Sequence, residues 1–209
     1  KGLLLVVSGP SGTGKGTICK DIVAKHEDIN LSISATTRNP RVGEVEGKSY
    51  FFKTKEEFEA MVDRGEFLEH AMIYDNYYGT PKKAIFDELD MGRDVILEIE
   101  MQGAMQIKEV YPQAVFIFVL PPSLQELRNR IVGRGTETEE QIEKRFNSAY
   151  DEIKLLGDYD YFIFNNIVEK SSEEILNILE VEKNKVSRYK KDILDMFEKE
   201  IKNVKTIIK

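Results

Sequence analysis

The 209-residue chain contains one cysteine, Cys19, so no disulfide can close within it. No apolar run approaches the ~20 residues that cross a bilayer, and no secretory leader is recognisable. Both absences suit a reducing cytosol, so a cytoplasmic location is expected and a membrane partner is not. A basic excess is missing too. Lys and Arg number 30 against 37 Asp and Glu, a net charge of −7. Nucleic-acid binders usually show the opposite balance, so nucleic acid is not expected as a partner. Histidine is scarce: His26 and His70 are the only two, and both read as structural or surface residues. There is no internal repeat and no low-complexity linker.

What is present supports a core. Hydrophobic residues make up 41% of the chain, enough for one domain with an insertion or for two small domains. Four runs rich in branched or aromatic residues recur: Leu3–Val7, Val95–Ile99, Ala114–Leu120 and Tyr161–Phe164. They do not alternate apolar with polar, as expected of strands buried on both faces of a parallel sheet. Helical stretches lie between them. Ser123 with Glu126, Thr138 with Gln141 and Ser171 with Glu174 each fit the capping box that opens a helix. Strand–helix alternation predicts an α/β fold.

Residues 34–93 break this rhythm. They hold aromatic, partly alternating pieces (Ser49–Lys53 and Glu66–Met72), turn signals at Asn39-Pro40, Asn76 and Thr80-Pro81, and a short helix opened by the box Thr54 to Glu57. They read as a small α+β insertion. Residues 127–146 are crowded with charge and contain Gly133-Arg134-Gly135, which is expected of a mobile segment. The tail, 185–209, spaces Ile193, Phe197, Ile201, Val204 and Ile208 as on one helical face. Two fates for that face are open: packing on its own domain, or pairing with a second subunit.

The most informative stretch follows the first apolar run. Gly9-Pro10-Ser11-Gly12-Thr13-Gly14-Lys15 matches G-x-x-x-x-G-K between a strand and a helix. Glycines there reach backbone angles closed to other residues, so successive N–H groups can converge on phosphate oxygens. The following helix adds its positive end and Lys15 a full charge. The pattern predicts a nucleoside triphosphate, with magnesium as its companion. Gly16 stands where such loops usually carry a hydroxyl. Thr17, one residue later, is the nearest candidate for the metal, through water.

Further stretches carry a resemblance. Ser34-Ala-Thr-Thr-Arg38-Asn-Pro-Arg41-Val-Gly-Glu44, Gly47-Lys-Ser-Tyr50-Phe-Phe, Glu66-Phe-Leu-Glu69, Tyr77-Tyr78-Gly79-Thr80-Pro81, Glu98-Ile-Glu100-Met-Gln102-Gly103 and Gly133-Arg134-Gly135-Thr136-Glu137 resemble the guanylate kinase family in order and spacing over about residues 3–180. The resemblance implies transfer of the γ-phosphate of ATP to GMP, with magnesium. It also implies a P-loop NTPase-type parallel sheet flanked by helices, with a nucleotide-monophosphate insertion and a lid. The core would then be residues 1–33, 94–126 and 147–184, the GMP-binding domain 34–93, the lid 127–146 and the helical tail 185–209.

The same resemblance distributes roles. Gly9 to Thr17 (Gly9, Pro10, Ser11, Gly12, Thr13, Gly14, Lys15, Gly16, Thr17) and Asn165, near the adenine, would bind ATP. Ser34, Glu69 and Thr80 would read guanine; Arg38, Arg41, Tyr50 and Tyr78 would hold the GMP phosphate; Glu98 would join the GMP site. Lys15, Arg38, Arg130, Arg134 and Arg145 would be the catalytic cations, and Glu100 with Thr17 the metal's neighbours. A carboxylate suits the N–H donors of guanine and would be left unpaired opposite adenine. Arginine's planar fork suits a phosphate. Two rivals predict different residues. A phosphopeptide-binding scaffold would not need the loop, Lys15 and the arginines together, and a sugar-phosphate enzyme would not need Ser34, Glu69 and Thr80. ATP and GMP are therefore the expected small-molecule partners. Monomer and homodimer remain open, with 185–209 as the segment that would join two copies.

Overall fold

The computed structural model describes residues 1–73, 75–132 and 139–207. In chain order the elements begin with β1 (Leu4–Ser8), α1 (Lys15–Lys25) and β2 (Ile29–Leu31). The insertion supplies β3 (Ala35–Thr36), β4 (Phe51–Phe52), α2 (Lys55–Asp63), β5 (Phe67–Ile73), β6 (Asn76–Pro81) and α3 (Lys82–Asp90). The chain continues with β7 (Asp94–Glu98), α4 (Met101–Val110), β8 (Val115–Leu120), α5 (Leu124–Val132), α6 (Glu139–Ile153), β9 (Tyr161–Phe164), α7 (Val168–Lys183) and α8 (Val186–Ile207).

The central sheet has the order β2-β7-β1-β8-β9, and every pairing in it is parallel. Its central strands β7, β1 and β8 are apolar on both sides because helices cover both sides; the edge strand β9 departs from the expectation for Tyr161–Phe164, since Phe162 and Phe164 are about half exposed. Leu5 and Val7 of β1 face Ile18, Cys19 and Ile22 of α1 and Ile175 and Leu179 of α7. Leu4 and Val6 face Ile85 and Leu89 of α3 and Ala104 and Ile107 of α4. Period-two alternation thus sends successive residues into two different cores, which is why the sequence shows runs rather than stripes. The helix α3 belongs to the 34–93 stretch of sequence, yet its apolar face lies on the central sheet.

The second sheet, β4-β3-β6-β5, is mixed: β3 runs parallel to β4 and antiparallel to β6, which runs antiparallel to β5. Its back is an aromatic cluster. Phe58 of α2 stacks on Phe67 at 4.5 Å and on Tyr77 at 5.3 Å. A Cβ at Gly79 would come within 2.9 Å of the Phe67 ring, so the strand needs glycine there. Gln106 of α4 clasps the backbone of His70 in β5 through its N–H and its carbonyl, tying the insertion to the core.

The helix starts follow their caps unevenly. Thr54 and Glu57 form both halves of the capping box. Ser123 accepts from the Glu126 N–H, while the Glu126 carboxylate turns to Arg130 instead of closing the box. Thr138 lies outside the described residues. Ser171 does not open a helix: α7 starts at Val168, and the Ser171 hydroxyl, buried, donates to Asn165 Oδ1 and to the Phe164 carbonyl. Its tertiary partners outcompete a local cap. The tail is helical, but among its described residues Ile193, Phe197 and Ile201 remain about half exposed rather than packed on the domain. Its attachment is polar: Arg188 reaches the buried Glu182 and the Gln113 carbonyl.

Phe116, fully buried at the centre of β8, is a direct check on this packing. Phe116→Ala should lower the unfolding free energy by about 3–5 kcal/mol in a denaturant titration. A loss below about 1 kcal/mol would mean that the two-sided burial of β8 is wrong.

Candidate active site

In an open parallel sheet, ligands collect where neighbouring connections diverge at the carboxyl ends of the strands. Here that point is β1, flanked by β7 and β8. The loop leaving β1 has Gly9 at φ 139°, Gly12 at 90° and Gly14 at 89°, all in the region that favours glycine. Gly9 is also fixed by space, since a Cβ there would meet the Val119 carbonyl at 2.4 Å. Lys15 is only 7% exposed. Its ammonium donates to the carbonyls of Gly9 at 2.5 Å and Pro10 at 3.2 Å.

The loop is braced from behind. Asn165 Nδ2 donates to the Thr13 carbonyl at 2.7 Å, and its Oδ1 accepts from Ser171. Arg130 of α5 donates to the Asn165 carbonyl at 3.1 Å and to the Thr13 carbonyl at 3.4 Å, and pairs with Glu126. The Thr13 hydroxyl is turned inward to the Pro10 carbonyl. Thr17, in the first turn of α1, is exposed.

Beside the loop stands the end of β7. Glu98 lies in register with Val7, and its carboxylate sits over Gly16. Burial among protein atoms pushes the Glu98 carboxyl up; Lys15 and Lys20 pull it back, and Glu100 adds to the rise. Glu100 occupies the N-cap position of α4. Glu152 of α6 faces two of the same charges, Glu100 and Lys15. Burial raises its carboxyl as well; Oε1 accepts from Ser148, and Oε2 has no partner among the described residues.

Across the cleft, the second sheet presents another set. Alternation along β6 turns Tyr77 and Gly79 toward the aromatic cluster and Tyr78 and Thr80 the other way. In β5 an irregularity between Phe67 and His70 inserts one extra residue opposite β6. Phe67 therefore stacks on Phe58 while His70 meets the same ring edge-on, and Glu69 is aimed to the opposite face. There Thr80 donates to Glu69 Oε1 at 2.6 Å. Glu69 is 8% exposed, and burial raises its carboxyl above the usual range, with the Thr80 bond opposing. Its Oε2 rests on α4, 2.8 Å from where a Cβ on Gly103 would be.

Arg38 lies at the other end of this sheet. Its Nη2 donates to both Glu44 oxygens at 2.8 and 3.0 Å, its Nη1 donates to the Asn39 carbonyl at 2.7 Å, and the guanidinium lies 5.4 Å over the Tyr50 ring. Tyr50 meets Tyr78 edge-on at 6.1 Å. The Glu44 bond raises the Arg38 pKa, and Arg38 in turn, with the Arg41 N–H, lowers that of Glu44.

Comparison with known proteins decides what this arrangement belongs to. The guanylate kinase family profile matches residues 1–182. The chain belongs to the guanylate kinase family. It is 67% identical over 201 residues to a guanylate kinase of Clostridioides difficile, covering 96% of this chain and 98% of that protein. It is 56% identical over 190 residues to one of Caldanaerobacter subterraneus, covering 91% and 92%. The crystal structure of guanylate kinase from Anaplasma phagocytophilum aligns with a TM-score of 0.72 at 37% identity, over 88% of this chain and 87% of that one.

Within this guanylate kinase fold, the residues expected from the sequence fall into two groups. Gly9 to Thr17, Glu98, Glu100 and Arg130 gather around the loop. Glu69, Thr80, Arg38, Tyr50 and Tyr78 gather on the second sheet, with Ser34 half-buried just before β3. Arg41 is exposed, and its backbone rather than its side chain holds Glu44. Asn165 is buried behind the loop, where its Nδ2 donates to the Thr13 carbonyl and its Oδ1 accepts from Ser171. Arg134 lies outside the described residues, as does the side chain of Arg145. Glu44, Gly103 and Glu152 are additions. Glu44 and Gly103 lay inside the quoted motifs, but only the fold reveals what they touch.

Proposed function

We propose that this protein is an ATP-dependent guanylate kinase that moves the γ-phosphate of ATP to GMP, yielding ADP and GDP. One observation carries the two-nucleotide arrangement. The short stretch from Glu98 to Gly103 touches both halves: Glu98 lies on Gly16 of the phosphate loop, and Gly103 lies under Glu69 of the second sheet. A donor bound at the loop and an acceptor bound at Glu69 therefore flank the same strand end.

Each residue set has a physical task. The loop N–H groups and Lys15 suit the β- and γ-phosphates. Glu69, ordered by Thr80, offers its oxygens to the N1 and N2 donors of guanine, with Ser34 alongside. Arg38, kept in place by Glu44 and Tyr50, provides the fork for the GMP phosphate, with Tyr50, Tyr78 and Arg41 around it. Thr17, Glu98 and Glu100 are oxygen donors, the class magnesium prefers, and so fit the cation that travels with ATP. When bound, that cation neutralises phosphate charge. The chain's own task is positioning and electrostatic stabilisation of the moving phosphoryl group, shared by Lys15, Arg38, Arg130, Arg134 and Arg145. The acceptor phosphate is already anionic, so no strong base is needed.

No described helix is long and apolar enough to cross a membrane. Cys19 is fully buried and its thiol is pushed up by that burial, which makes it inert. Both observations are compatible with the cytoplasm, where we place the enzyme.

Two measurements test this. In a coupled assay with ATP and magnesium, the protein should convert GMP, and AMP should be at least ~10⁴-fold poorer in kcat/KM, because adenine leaves Glu69 unpaired. Equal rates with AMP would sink the base-reading role. The raised carboxyl of Glu69 makes a second prediction about pH. Acidification protonates an acceptor that guanine needs ionised, so GMP affinity should fall as pH drops toward the Glu69 pKa. In Glu69→Gln that component should vanish, leaving only the titration of the GMP phosphate, which both proteins share. Parallel calorimetric pH profiles of the two proteins would refute the assignment if they coincided in shape.

A further inference from the structure

β5 is the outer strand of its sheet, so backbone groups along its free edge have no strand partner. At His70 a side chain takes that part. Gln106 Nε2 donates to the His70 carbonyl at 3.2 Å, and the His70 N–H donates to Gln106 Oε1 at 3.3 Å. The Gln106 amide thus pairs with the edge as the backbone of another strand would. It does so at the residue directly after Glu69.

That is where β5 is held least by its own sheet. Between Phe67, opposite Pro81, and His70, opposite Gly79, β5 carries one residue more than β6. An extra residue is left out of the ladder, so this segment needs support from elsewhere. Helix α4 supplies it. Leu68 packs on the cluster that includes Ala104 and Ile107. Glu69 Oε2 lies 2.8 Å from the place of a Cβ on Gly103, and His70 is clasped by Gln106. Residues 103, 104, 106 and 107 share one face of a helix. Glycine is the poorest helix former after proline, so a glycine inside α4 is explained by what it admits, the Glu69 carboxylate.

The other end of α4 lies on the donor side. The helix starts at Met101, shortly after β7 ends at Glu98, and β7 pairs with β1, the strand that leads into the phosphate loop. One rigid element therefore runs from the loop's sheet to Glu69.

We infer that Gln106, which belongs to neither nucleotide-binding set, is a positioning residue for guanine selectivity: together with Gly103 it fixes the Glu69 carboxylate relative to the phosphate loop. This rests on the guanine-reading role proposed for Glu69 above. Thr80 holds only Oε1. A carboxylate on one hydrogen bond can pivot, and the contact of Oε2 with α4 sets its plane. Guanine presents two donors side by side, at N1 and N2, so that plane decides whether both are met. Without the clasp at His70, the strand that carries Glu69 can lift from α4, and the plane is lost.

The test is a comparison of two acceptors. Inosine 5′-monophosphate keeps the N1 donor of GMP and lacks the 2-amino group, so the GMP-to-inosine ratio of kcat/KM reads the second contact. It is measured at saturating ATP for the wild type, Gln106→Met, Gly103→Ala, Glu69→Gln and Gln106→Met/Glu69→Gln. Gln106→Met keeps the length of the side chain and removes both hydrogen bonds. It should narrow the ratio about five- to tenfold. Its KM for ATP should stay within about twofold, and its thermal midpoint should fall by no more than about 4 °C. Gly103→Ala should narrow the ratio without lowering the midpoint, because alanine favours the helix while its methyl displaces the carboxylate. In the Glu69→Gln background, Gln106→Met should change the ratio by less than about twofold, since the group it positions is gone. Equal losses with both acceptors in Gln106→Met would overturn the inference by showing a merely structural role. Full narrowing in the Glu69→Gln background would overturn it as well, by showing that Gln106 does not act through Glu69. A wild type with no preference for GMP over the inosine compound would refute the guanine-reading role of Glu69 and this inference with it. A wild-type preference that Gln106→Met leaves intact would overturn this inference alone.

Discussion

Lys15 carries its charge at 7% exposure, held by two carbonyls of the loop that precedes it. An ammonium taken out of water is costly unless its hydrogen bonds are made. Those carbonyls converge only if the loop turns through backbone angles that glycine reaches, hence Gly9, Gly12 and Gly14 at positive φ. A loop so shaped needs support, and it comes from far along the chain. Asn165 and Arg130 both donate to the Thr13 carbonyl, and Ser171 steadies Asn165. The parallel sheet makes that possible, because β1, β8 and β9 bring their carboxyl ends to one place.

The acceptor side solves a related problem with a negative charge. Glu69 is buried, which disfavours its ionised form, and the Thr80 hydroxyl offsets part of that. An extra residue in β5 aims the side chain, and a glycine in α4 makes room for it. Arg38 is likewise preorganised, its Nη2 on both Glu44 oxygens and its guanidinium over the Tyr50 ring. Both sides share a design. Charged groups are set in position before a ligand arrives, so little reorganisation is left for binding.

Much of this was legible in the sequence where the signal was local. The G-x-x-x-x-G-K spacing, the Thr54 box and the two-sided apolar runs are each contained in a few residues, and the structure carries the first two and, for β1, β7 and β8, the third; β9 lies at the sheet edge with Phe162 and Phe164 about half exposed. What stayed hidden depends on residues that meet only after folding. Asn165 touches Thr13, Glu98 fills the space above Gly16, and Gly103 supports Glu69; no short window contains any of these three pairs. The β5 irregularity is invisible because one extra residue leaves composition unchanged. Ser171 misled because a capping box is a local preference, and a buried tertiary bond to Asn165 outweighs it. For the tail, helical spacing foretold α8 correctly but could not tell that its apolar face would stay about half exposed.

The central claim is that Lys15 is positioned to stabilise charge on a moving phosphoryl group, and single-turnover kinetics of Lys15→Met with ATP and GMP test it most directly. The phosphoryl-transfer rate should fall by at least ~10²-fold while GMP affinity stays within about twofold, since the lysine lies on the donor side of the cleft. Turnover near that of the unaltered protein would contradict the account.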